Sequence, residues 1–202
     1  MMGRISAATS ACLLAVLLTA IPIVHAQTPA DFAAEPDKSM ASAHESFVKG
    51  DMDKAAAHID KAARYVKKQS EKVATDARQG VMKAGDQLTQ LGADVKKGTV
   101  KAADQLKRTF AQVDHQLAKA WHVTAEQAQK SGRDTTNALK QAGAGLEGAA
   151  KWSGARLQEG TQATMNGLKK AKQGVKIGAD DAGKFFKGIG DGIADLGQKI
   201  SG

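Results

Sequence analysis

Three observations predict an all-α chain. No proline follows Pro36 in the 202-residue sequence, and proline is the usual interruption of helix interiors. Ala, Lys, Gln, Leu, Glu and Asp recur throughout, while β-branched clusters and Asn-Gly hairpin signals are missing. Apolar residues return at three-to-four spacing over much of the chain. The expected architecture is an N-terminal helical hairpin followed by long amphipathic helices with an eleven-residue repeat. These helices are expected to be elongated or folded back as a bundle, and partly disordered.

The chain opens with Arg4 and an apolar run from Ala11 to Val24, interrupted only by Thr19 and Pro22. Val24-His25-Ala26 places small residues three and one positions before Gln27, so residues 1–26 are expected to be a cleaved export signal. The run falls short of the roughly 20 apolar residues of a spanning helix. Cys12, the single cysteine, lies inside it. Residues 27–202 therefore lack disulfides, thiolate metal sites and cysteine nucleophiles. The expected location is the periplasm, with full secretion as the alternative. Residues 27–36, holding Pro29 and Pro36, are read as a flexible leader.

Residues 37–74 read as a helical hairpin. Ala43 and Phe47 share one helix face, Gly50 stops that helix, and Asp51 can cap the next. The second helix carries Ala55, Ile59, Ala62 or Ala63, and Val66 on one face. Ala43, Phe47, Gly50, Ala55 and Ile59 resemble half of a tetratricopeptide repeat. Such arrays need about three units, so an ordinary αα-hairpin is the expectation.

From Thr75 the regularity is clearest. Lys83-Ala-Gly-Asp-Gln-Leu88 returns as Lys101-Ala-Ala-Asp-Gln-Leu106, a shift of five helical turns. Cut into elevens, the chain aligns Leu88, Phe110 and Trp121 at one position. A second aligns Leu91, Val113, Leu146, Leu157 and Leu168, and a third aligns Val95, Leu106, Leu117 and Leu139. Together they form one apolar seam with a period of about 3.67 residues, which favours a nearly straight or slightly right-handed helix path. Residues 75–142 are expected to form a long amphipathic helical region.

Elevens rich in Ala, Lys, Gln, Thr and Gly, with an apolar seam and mixed charges elsewhere, resemble the group 3 late-embryogenesis-abundant proteins. They are also similar to the amphipathic segments of exchangeable apolipoproteins. The resemblance spans Thr75 to Gln173 and implies conditional helices that fold on drying, on lipid or on partners. The chain departs from it in glycine density: Gly143, Gly145, Gly148, Gly154, Gly160, Gly167, Gly174, Gly178 and Gly183. Each weakens an exposed helix by about 1 kcal/mol. Residues 143–183 are thus expected to be broken, locally disordered, or packed on a partner helix through small residues.

Residues 184–202 are the most apolar stretch after the leader. Phe185, Ile189, Ile193, Leu196 and Ile200 line one helical face, with Phe186 beside it, and Lys184, Lys187, Asp191, Asp195 and Lys199 occupy the others. This segment is the candidate for membrane or partner contact. Docking onto the chain's own bundle is the competing reading.

Candidate chemistry is sparse. Gly143-Ala-Gly-Leu-Glu-Gly148 matches G-x-G-x-x-G, but a helical pattern precedes it where a dinucleotide site needs a strand. His115 and His122 could share a face with Asp114 nearby, yet neither HExxH nor a third ligand accompanies them; His44 and His58 stand apart. No catalytic residue, cofactor or metal is expected. Lys67-Lys68, Lys96-Lys97, Lys107-Arg108 and Lys169-Lys170 spread a net charge of +8 along the chain. In an exported protein this balance favours envelope anions over nucleic acid. The expected function is a non-enzymatic structural, chaperone-like or envelope-stress-protective role. The expected partners are further copies of itself or other envelope proteins. A peripheral membrane-surface binder on anionic lipid is the alternative, and a small-ligand or metal carrier on a helical bundle a third reading.

Overall fold

The computed structural model describes residues 29–170 and 178–201. The expected export signal at residues 1–26, with Cys12, lies outside the described residues, as does Gly174. Seven helices follow in order among the described residues: α1 (Pro29–Val48), α2 (Met52–Gln69), α3 (Thr75–Lys96), α4 (Ala103–Lys130), α5 (Thr136–Ser153), α6 (Glu159–Lys170) and α7 (Ala179–Ser201). They fold back on one another as a bundle around one apolar core. None of them is long and apolar enough to cross a membrane.

The N-terminal hairpin forms as its residues dictate. Asp51 caps α2, its Oδ1 accepting from the Lys54 amide at 3.2 Å. Ala43, Phe47, Ala55, Ile59, Ala62, Ala63 and Val66 are all buried between α1, α2 and their neighbours. Helix α1 begins at Pro29, within the stretch 27–36 read as a leader. Pro36 sits inside that helix, where its missing N–H removes one backbone hydrogen bond without ending the element.

The amphipathic helical region expected at 75–142 comprises α3, α4 and the start of α5. The breaks fall at Gly98 and Gly132, which adopt φ of 68° and 65°, a left-handed turn that glycine enters freely. Beyond each, an amide reaches back five residues to seal the helix end: Thr99 N to Asp94 O at 3.0 Å, and Arg133 N to Ala128 O at 2.8 Å. The seam survives these turns because an eleven-residue repeat fixes which side chains face inward but not where the chain reverses. Leu88, Leu91, Val95, Leu106, Phe110, Val113, Leu117, Trp121, Leu139, Leu146 and Leu168 are buried. Leu157 lies between α5 and α6 and packs, partly buried, on the same core.

Side-chain contacts fix the helix directions. Gly85 faces Lys67 while Gly92 faces Asp60 and Ile59, so α3 runs antiparallel to α2. Phe110 meets Trp152 edge-on at 5.1 Å, and Gly145 abuts Ala118, so α5 runs antiparallel to α4. Gly167 faces Phe185 while Thr161 bonds Gly188, so α7 runs antiparallel to α6. Helix α7 then closes the bundle by lying against α4, α5 and α6.

Candidate functional site

Two polar clusters interrupt the apolar core, and both are centred on α4. The first joins α4 to α7. His115 Nε2 stands 2.8 Å from the Ile193 carbonyl oxygen, and His122 Nε2 stands 3.1 Å from that of Phe186. A carbonyl only accepts, so each imidazole carries its proton on Nε2 and donates it. The two histidines are two turns apart, as are the two carbonyls, and the helices are antiparallel. The result is one contact made twice. Each accepting carbonyl belongs to a turn whose fourth residue onward is glycine. A Cβ at Gly197 would stand 3.1 Å from the His115 ring, and one at Gly190 would stand 3.5 Å from His122 Nε2. At Gly197 the missing Cβ gives the His115 ring room to reach the helix backbone, whereas a Cβ at Gly190 would make only an ordinary contact. His122 Nδ1 lies 3.6 Å from Glu126 on its own helix.

Beside this clamp runs a groove of about 660 Å³ lined by His115, Lys119, His122, Val123, Ile193 and Ala194, among others. Lys119 is exposed at its rim. The six residues of the expected contact surface are distributed by depth. Ile189 and Leu196 are 0% exposed in the bundle, whereas Phe185, Phe186, Ile193 and Ile200 are partly buried against its core. Phe186 meets the His122 ring edge-on at 5.7 Å. The outer face of α7 carries the ion pairs Lys187–Asp191 and Lys199–Asp195.

The second cluster joins α1, α4 and α5. Asp114 is 2% exposed in the middle of α4 and faces Asp37 of α1. Burial, then the charge of Asp37, pushes the Asp114 carboxyl well above the usual carboxylate range. Burial also raises Asp37, opposed by Lys151. Gly148 makes the meeting possible, because a Cβ there would collide with Asp114 Oδ2. At the neighbouring Gly145, a Cβ would stand 2.8 Å from both Ala118 N and Asp114 O, so α4 and α5 touch backbone to backbone. Asp37, Gln69, Asp114 and Gln141 share the wall of an internal cavity of about 20 Å³, the scale of a single water. His44, one face-repeat along α1 from Asp37, packs at a tilt against Trp152, the ring centroids 6.0 Å apart. Its imidazole is held below the usual histidine range by burial and by Lys107.

The G-x-G-x-x-G match at Gly143–Gly148 thus lies inside α5, where its glycines admit Met165, Ala118 and Asp114. Asp114 was the residue whose role the sequence obscured, since it reads as one more charge beside His115. Its signal is its place on the stripe: Phe110, Asp114, Leu117 and Trp121 follow at spacings of 4, 3 and 4. Among the described residues no group of three or more His, Cys, Asp or Glu converges to hold a metal ion. A comparison with family models, curated proteins and solved structures finds no match for this chain.

Proposed function

We propose that the protein is a non-enzymatic, exported helical protein with a structural, chaperone-like or envelope-stress-protective role. The observation that carries this reading is the use made of His115 and His122. Both side chains, which would be the natural bases or ligands of α4, donate to the backbone of α7 and act as fasteners between helices. The cysteine-free chain beyond Ala26 and its spread-out basic balance support an envelope setting. The test adds the full chain to a heat-labile soluble enzyme before heating or drying. Recovery severalfold above that given by an equal mass of serum albumin is expected. Recovery no better than albumin would refute the protective role.

A second reading, a peripheral binder of anionic membrane surfaces, is favoured by the amphipathic pattern of α7 and by the apolar groove beside it. Lys119 at the groove rim supplies a cation for a lipid phosphate. In this reading Ile189 and Leu196 exchange their place in the bundle for a place in the lipid interface. Vesicle binding separates it from the first reading.

A further inference from the structure

The facing carboxyls of α1 and α4, Asp37 half-buried and Asp114 buried, are the least explained polar groups in the fold. We propose that Asp37 and Asp114 form a proton-shared latch that fastens α1 to the α4–α5 pair, and that removing the shared proton in alkaline solution loosens α1 from that seat. Asp37 Oδ1 and Asp114 Oδ2 both lie within 3.1 Å of the point where a Gly148 Cβ would stand. Neither oxygen has a hydrogen-bond partner among the described residues when both groups are ionised acceptors. One proton between them turns an acceptor–acceptor contact into a charge-assisted hydrogen bond.

The surrounding charges fix the favoured state. From α5, Lys151 stabilises a negative charge on the pair, while Glu147 opposes it. The Trp152 indole also favours an ionised Asp37, though it closes no hydrogen bond of good geometry. Gln69 of α2 and Gln141 of α5 face the shared cavity without charge. His44 of α1 faces Lys107 and Asp104 of α4 and titrates separately, on the acid side. One lysine compensates one carboxylate. A second ionisation adds an uncompensated charge beside the fully buried Asp114, so the singly protonated pair is the state that holds α1.

Hydrogen exchange of the full chain over a pH series tests this, with rates corrected to protection factors. In the wild type, the protection of α1 amides is expected to fall toward alkaline pH by up to about tenfold per pH unit, while that of α3 stays level. In Asp114→Asn and in Asp37→Asn a carboxamide N–H replaces the shared proton, so the fall should disappear. The two variants are alternatives should one fail to fold. In His44→Gln the fall should persist. A flat wild-type profile, an unchanged fall in a folded Asn variant, or its loss in His44→Gln would each overturn the latch.

Discussion

His115 Nε2 donates to the Ile193 carbonyl oxygen at 2.8 Å, in the middle of α7 rather than at its end. A mid-helix carbonyl already serves its own i+4 amide, so the imidazole takes its second lone pair. His115→Ala and His122→Ala should each lower stability by about 1 kcal/mol. They should also raise the protease sensitivity of α7 while leaving the α1–α2 hairpin protected. Urea melts with limited proteolysis would check this; unchanged α7 cleavage in the double variant would contradict the clamp.

Glycines in this fold differ by what stands over them, and substitution should separate them. Gly183 has nothing within 4 Å of a prospective Cβ, and it lies inside α7. Gly183→Ala should therefore stabilise the protein by up to about 1 kcal/mol. At Gly145 the neighbours are the backbone of Ala118 and Asp114, which cannot turn aside. Gly145→Ala should destabilise by about 1–3 kcal/mol, the usual range for overpacking. Thermal melts of the two single variants give opposite signs if the helix contact is as described.

That contrast marks where sequence reasoning reached and where it stopped. The seam, the hairpin and the Asp51 cap follow from local pattern, since burial period and capping chemistry are written in adjacent residues. Gly98 and Gly143 look alike in sequence, yet one reverses the chain and the other accepts Met165 against a continuous helix. Only the partner helix distinguishes them. Asp114 was hidden for the same reason: its compensating groups, Asp37, Gly148 and Lys151, lie far off in sequence. Pro36 is accommodated inside α1, where a single missing N–H does not end the helix.

Acid should loosen the same region from the other side. His44 has its folded-state pKa lowered, first by burial and then by Lys107. A histidine depressed in the folded state binds fewer protons there than when unfolded, so stability is lost as pH falls below the usual histidine range. The loss should end once the folded-state pKa is passed. His44→Gln should flatten this acid limb, which chemical denaturation at several pH values would reveal. An unchanged limb would assign it to other groups.

Membrane binding through α7 must compete with the bundle. Ile189 and Leu196 are fully buried and cannot meet lipid while α7 is seated. Two consequences follow. Deleting residues 184–202 should abolish co-sedimentation with anionic vesicles, provided circular dichroism confirms that the remaining helices persist. The His115→Ala/His122→Ala double variant should instead bind vesicles more tightly, because weakening the seat favours the released helix. At about 1 kcal/mol per histidine, the weakening of about 2 kcal/mol corresponds to about a thirtyfold gain. Binding that survives the deletion would remove α7 from the membrane reading, whereas binding lost on deletion and unmoved by the double variant would mean that lipid is met without undocking.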